Sequence, residues 1–180
     1  GPPLSMEEGA ALIALAGANG LTARECVGLK VAKLPGVPLY AVPTTAGTGS
    51  EVTLAAVISD NTPHEKLIVA DPRIIPTAAA LDPGIMRGLP PHITAATGMD
   101  ALTHAIESYI NTWDTDECLH YGRAATRLIL NNLPRACANG QDLAAREAMA
   151  LASYYAGLAF TTCLVGYVHA VYHQLGRFYG

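Results

Sequence analysis

With 180 residues, 51% of them hydrophobic and 14% charged, the chain is long enough for one substantial core or two small domains. Its net charge of −4 comes with no basic run or lysine/arginine stripe, which argues against nucleic-acid binding. No stretch reaches the ~18–20 uninterrupted apolar residues of a membrane span; residues 150–172 come nearest, and Ser153, Tyr154, Thr161, Thr162 and His169 interrupt them. Cys26, Cys118, Cys137 and Cys163 show no CxxC spacing, so four free thiols and a reducing cytoplasm are expected. The first residues lack a basic region followed by an apolar stretch, and no signal peptide is expected.

In chain order, residues 6–18 predict a helix with its acidic residues at the favoured N-terminal end. Residues 39–42 read as a short buried strand stopped by Pro43. Residues 52–59 and 67–70 are β-branched and apolar, and Asp60-Asn61-Thr62-Pro63 between them predicts a hairpin. Residues 78–81 form another short strand candidate ending at Asp82-Pro83. From Pro90 onward helical periodicity takes over, at 91–111, 115–138, 142–162 and 165–177. Asp116 and Asp142 stand near helix starts, and Asn139-Gly140 stops the helix before it. The fold class expected is an α/β remnant of a nucleotide-binding domain over 1–85, followed by an all-helical metal-binding domain over 86–180.

Two clusters carry chemistry. Asp100 and His104, four apart on a helix, lie on one face about 5–6 Å apart at Cβ, close enough to share a divalent metal. His169 and His173 repeat that spacing on a later helix. A lone pair of this kind is more often a surface or helix-stabilising contact. Here the neighbours Ala101, Leu102, Ala105, Ile106, Val168, Ala170 and Val171 are apolar, and titratable groups in such surroundings call for a shared partner. The second cluster is Thr44-Thr45-Ala46-Gly47-Thr48-Gly49-Ser50, whose glycines would let backbone N–H groups approach a phosphate. Taken alone it is more often an ordinary turn, and it is neither a Walker loop nor a GxGxxG fingerprint.

The run PTTAGTGSEVT at 43–53, LDP at 81–83, TGMDALTHAIESY at 97–109 and GYVHAVYHQLG at 166–176 resemble, in order and spacing, the motifs of the iron-containing alcohol dehydrogenases. The resemblance covers nearly the whole chain and implies a dehydroquinate synthase-like fold. It implies NAD(P)-dependent, metal-dependent interconversion of small alcohols with aldehydes or ketones by hydride transfer. Asp100, His104 and His169 would be metal ligands, for iron(II) or alternatively zinc. Thr44, Thr45, Thr48, Thr53 and Lys66 would meet NAD or NADP, and His173 would help pass the alcohol proton to solvent. The family's fourth ligand, in a Pro-His-Gly motif, would fall after Gly180. The family's pyrophosphate loop of glycines is replaced by Gly1-Pro2-Pro3-Leu4-Ser5, whose prolines remove N–H donors. Weakened cofactor binding and little turnover by these 180 residues alone are therefore expected. A non-catalytic helical module of the family, a lyase of the dehydroquinate synthase type, and a homo-oligomer all stay open.

Overall fold

The computed structural model describes residues 6–59, 66–113 and 115–171. Helix α1 (Met6–Asn19) buries Ala11, Leu12, Leu15 and Ala16, a stripe at helical spacing. That stripe packs on Cys26, Ala56, Val69 and Ile74. Gly20, at φ 63°, ends the helix in the left-handed region that glycine adopts without a Cβ penalty. The Asn19 side chain then ties the helix end to the following loop: Nδ2 donates to Leu15 O and Leu34 O, both at 2.8 Å.

A three-stranded sheet stands beside α1, which packs on its Ala56 and Val69. β1 (Gly28–Leu29) pairs parallel to β4 (Lys66–Ala70), and β4 pairs antiparallel with β3 (Ala55–Ser59) in the register Ala55↔Ala70 through Ser59↔Lys66. This is the hairpin expected from the sequence, and its turn residues 60–65 lie outside the described residues. β2 (Tyr40–Ala41) and β5 (Ala78–Ala79) form a separate parallel pair. Residues 52–54, expected as strand, form a turn instead, because Val52 N donates back to Gly49 O at 3.0 Å. The strand expected over 39–42 shrinks to Tyr40–Ala41, where Ala41 is buried and Tyr40 is exposed.

The second half is three long helices, α2 (Pro91–Ile110), α3 (Asp116–Ala138) and α4 (Leu143–Cys163). Each carries a buried stripe spaced three and four: Thr94, Gly98, Ala101, Ala105 and Ser108 on α2; Cys118, Gly122, Ala125 and Ile129 on α3; Ala145, Met149, Ala152, Ala156, Ala159 and Cys163 on α4. Such stripes seat helices side by side, and small residues let the backbones approach closely. A Cβ on Gly122 would stand 3.1 Å from Ala105 O. The caps are local: Thr115 Oγ1 accepts from Cys118 N, and Asp142 Oδ1 accepts from Ala145 N.

Folding α3 back on α4 brings the first turn of one to the last turn of the other. Cys118 and Cys163, 45 apart in sequence and 6.6 Å apart at Cα, are joined in a disulfide there. The expected four free thiols are corrected to two, Cys26 and Cys137. Among the described residues no helix is long and apolar enough to cross a membrane.

Arg146, 3% exposed, ties the start of α4 to α2. Its guanidinium donates to Thr94 Oγ1 at 2.7 Å, Gly140 O at 3.1 Å and Leu89 O at 3.1 Å. Arg146→Met keeps the apolar stem and strands these acceptors, so a loss of about 2–3 kcal/mol is expected. A urea midpoint unchanged from the parent would contradict the assignment.

Candidate metal centre

The stripe on α2 next to its packing face reads Thr97, Asp100, His104, Glu107, again spaced three and four. It faces the loop 44–53, the C-terminal half of α4 and a helical turn at 167–171. His104 is 6% exposed and stacks against Phe160 of α4, with centroids 4.3 Å apart and planes at 26°. On its other side it stacks against His169, at 4.3 Å and 11°. His169 is buried at 7% and turns Nε2 to Asp100 Oδ1 at 3.5 Å. Asp100, His104 and His169 each offer one ligand-type atom, and these atoms lie within 4.8 Å of one another.

The donor set fits a divalent cation. One carboxylate oxygen and two imidazole nitrogens suit iron(II), zinc and their neighbours, and coordination bonds of ~2 Å need only a small inward movement of the three side chains. His104 Nδ1 is buried without a hydrogen-bond partner among the described residues. A buried polar atom left unpaired costs about 1–3 kcal/mol, which makes it a mark of a site built for a further group.

Electrostatics divide the two histidines. Burial pushes His104 down to about 4, against the pull of Asp100 and a backbone hydrogen bond with Gly47, so its ring is neutral at physiological pH. Burial also disfavours a charged His169, but the carboxylates of Asp100 and Glu107 outweigh it and raise that ring above the ordinary histidine range. Glu107 is buried, which alone would raise it; bonds from His169, Gly166 and Val168 instead hold it below the usual carboxylate range.

The loop 44–53 is seated by close approach. A Cβ on Gly47 would stand 2.7 Å from Thr97 Cβ, and one on Gly49 would stand 2.9 Å from Gly157 Cα. These glycines therefore fit the loop to α2 and α4. Thr161 Oγ1 adds a bond to Val52 O at 3.3 Å.

Family models match most of the chain: "Iron-containing alcohol dehydrogenase" over residues 7–83 and "Fe-containing alcohol dehydrogenase family, C-terminal" over 94–180. The chain belongs to the iron-containing alcohol dehydrogenase family. It is 45% identical over 175 residues to the NAD-dependent methanol dehydrogenase of Bacillus methanolicus, covering 97% of this chain and 46% of that one. The crystal structure of a 1,3-propanediol oxidoreductase superposes with a TM-score of 0.93 at 41% identity, again covering 97% of this chain and 46% of that one. Sulfoacetaldehyde reductase from Bifidobacterium kashiwanohense, in complex with NAD+, superposes at 0.91 with 33% identity over 97% of this chain and 46% of its own. The chain thus spans about half the length of these relatives.

Of the dehydrogenase-type residues expected from sequence, Asp100, His104 and His169 come together, while the cofactor set is spread. Thr44 and Thr48 are exposed on the loop and Thr45 is half-buried. Thr48 Oγ1 meets Ser50 Oγ at 3.2 Å. Thr53 is 4% exposed, with its hydroxyl donating to Ala55 O at 3.4 Å. Lys66 opens β4 opposite Ser59. His173 and the altered loop at residues 1–5 lie outside the described residues. Sequence reasoning missed Glu107 and Phe160. Glu107 is one turn beyond His104 on the same stripe, a spacing that could have disclosed it.

Proposed function

We propose that the chain supplies the metal-holding part of an NAD(P)-dependent alcohol dehydrogenase that interconverts small alcohols with aldehydes or ketones by hydride transfer. The supporting observation is the convergence of half-exposed Asp100 and buried His104 from α2 with buried His169 from a distant segment. In this reading residues 1–85 contribute part of the nucleotide-binding portion and residues 86–180 part of the helical metal and substrate portion. Asp100, His104 and His169 hold the metal, with iron(II) favoured by the family and zinc as the alternative. Bound there, the metal supplies Lewis acidity toward an alcohol or carbonyl oxygen, and the nicotinamide carries the hydride.

The chain's own residues do the rest. Asp100 sets one negative charge against the cation, and the burial of His104 keeps that ligand neutral. Phe160 covers one face of the His104 ring and excludes water from it. Thr44, Thr45 and Thr48 present hydroxyls to NAD or NADP from a loop fixed on α2 and α4, and Thr53 and Lys66 complete the cofactor set. His173 passes a proton between substrate and solvent. The names of the relatives point to a small alcohol or aldehyde as substrate.

The test is anaerobic titration of the metal-free chain with iron(II) or zinc, with NADH fluorescence measured alongside. One metal per chain is expected; no stoichiometric binding would defeat the reading. The pH dependence has a definite sign. A coordinating ring nitrogen must shed its proton, and His169 holds its proton more tightly than an ordinary histidine. Metal affinity should therefore rise with pH through the His169 range, by up to about tenfold per unit for one proton. The metal-free chain should do the opposite. A raised histidine contributes stability that is full below its unfolded value and is lost as pH rises through the folded one. Thermal melts and zinc isotherms between pH 6 and 9 check both slopes.

A further inference from the structure

We propose that Glu107 is the positioning residue of the centre, holding His169 so that its Nε2 faces Asp100 and His104; this rests on the metal reading above. Glu107 is 2% exposed, and among the described residues its carboxylate's hydrogen bonds run to one short segment. Oε2 accepts from Gly166 N at 2.9 Å and from the His169 ring at Nδ1, 2.5 Å away. Oε1 accepts from Val168 N at 2.6 Å and His169 N at 3.4 Å. An ionised carboxylate is an acceptor only, so the proton on this side of the ring sits on Nδ1. In the neutral ring Nε2 is then the lone-pair nitrogen, because the Glu107 contact at 2.5 Å holds the proton on Nδ1 against Asp100 at 3.5 Å from Nε2. The choice of tautomer and the direction of the ring have one cause.

The same carboxylate captures the free N–H groups where the helical turn at 167–171 begins, the end of a helix that favours a negative charge. Gly166 suits this approach, since a Cβ there would stand 3.0 Å from Glu107 Oε1 and 3.1 Å from its Cδ and the carboxylate would have to give by a few tenths of an ångström. Glu107 therefore places the backbone of His169 as well as its ring. α2 carries two candidate ligands in Asp100 and His104, and through Glu107 it also aims the third.

Glu107→Gln tests this with little change in volume. An amide cannot accept at both ends, so one set of N–H donors faces an NH2 group. Zinc affinity should fall about 10–100-fold, the usual range for a group that orients a metal-bound histidine. In the metal-free chain, at a pH where His169 is neutral, 15N spectra of the parent should show the Nδ1–H tautomer, and Glu107→Gln should show a mixture. Glu107→Asp, which keeps the charge on a shorter arm, should recover part of the affinity. Gly166→Ala, which leaves Glu107 and every candidate ligand intact, should reproduce the tautomer mixture by displacing the carboxylate. Zinc affinity and tautomer both unchanged in Glu107→Gln would overturn the proposal. So would a lowered melting temperature with both unchanged, since that is a purely structural role. If the parent chain itself binds no zinc, the metal reading fails, and the tautomer comparison still decides what Glu107 does.

Discussion

His104→Phe should abolish tight metal binding while leaving the metal-free chain at least as stable as the parent. The two effects separate because His104 does two jobs. As an aromatic ring it fills the space between Phe160 and His169, each 4.3 Å away by centroid. Phenylalanine keeps that stacking and adds no large volume. As a polar group, His104 buries an Nδ1 atom that has no partner among the described residues. Removing such an atom recovers about 1–3 kcal/mol of desolvation, offset in part by the lost backbone hydrogen bond of the ring with Gly47, so the metal-free form is expected to keep at least the parental stability. Zinc affinity should drop by more than about 100-fold, beyond the range for groups that merely support a ligand. Competition against a chromogenic chelator measures the affinity, and thermal melts of the metal-free chain measure the stability. Parental zinc affinity in His104→Phe would show that the cluster is not the site. A steep loss of metal-free stability would show that the imidazole serves the fold.

The helical half was legible because each helix carries a three-and-four stripe of small or apolar residues, a pattern that survives without knowledge of the partner. The Asp100/His104 pair was legible for the same reason: polar residues on an apolar helix are costly unless something answers them. Glu107 follows the same spacing but was passed over. In Ile106-Glu107-Ser108 a carboxylate near a helix end reads as solvated, and only the return of 166–169 across α2 buries it. The Cys118–Cys163 disulfide was hidden similarly, since the pairing depends on the register of α3 against α4. The strand assigned from residue 52 was too long because β-branched residues suit a packed turn as well as a strand. On chemistry alone the loop glycines read as an ordinary turn, with a ligand role implied only by the resemblance, and the structure gives Gly47 and Gly49 a packing duty against α2 and α4.

That duty predicts a large stability effect at Gly157. A Cβ built there would stand 2.6 Å from Val52 Cγ2, 3.0 Å from Gly49 O and 3.2 Å from Gly49 Cα. Something must move, and both sides are fixed. α4 cannot retreat easily, because its neighbouring stripe of Ala145, Met149, Ala152, Ala156 and Ala159 is buried. The loop cannot retreat easily either, since Thr161 Oγ1 holds Val52 O and Gly47 is wedged on Thr97. Gly157→Ala should therefore lose about 1–3 kcal/mol, the usual cost of overpacking, although alanine is the better helix former. Gly157→Val should lose more. Gly17 on α1 supplies the control, since a Cβ there would meet nothing within 4 Å. Gly17→Ala should gain about 0.5–1 kcal/mol from helix propensity alone. Urea denaturation of the variants gives the stabilities, and hydrogen exchange at residues 47–53 shows whether the loop is what yields. If the loop lifts, Thr44, Thr45 and Thr48 lose their fixed relation to Asp100 and His104. NADH binding should then weaken in Gly157→Ala even where α2, α3 and α4 stay folded. Gly157→Ala as stable as Gly17→Ala, with parental exchange at 47–53, would remove the case that close packing on α4 holds the threonine loop in place.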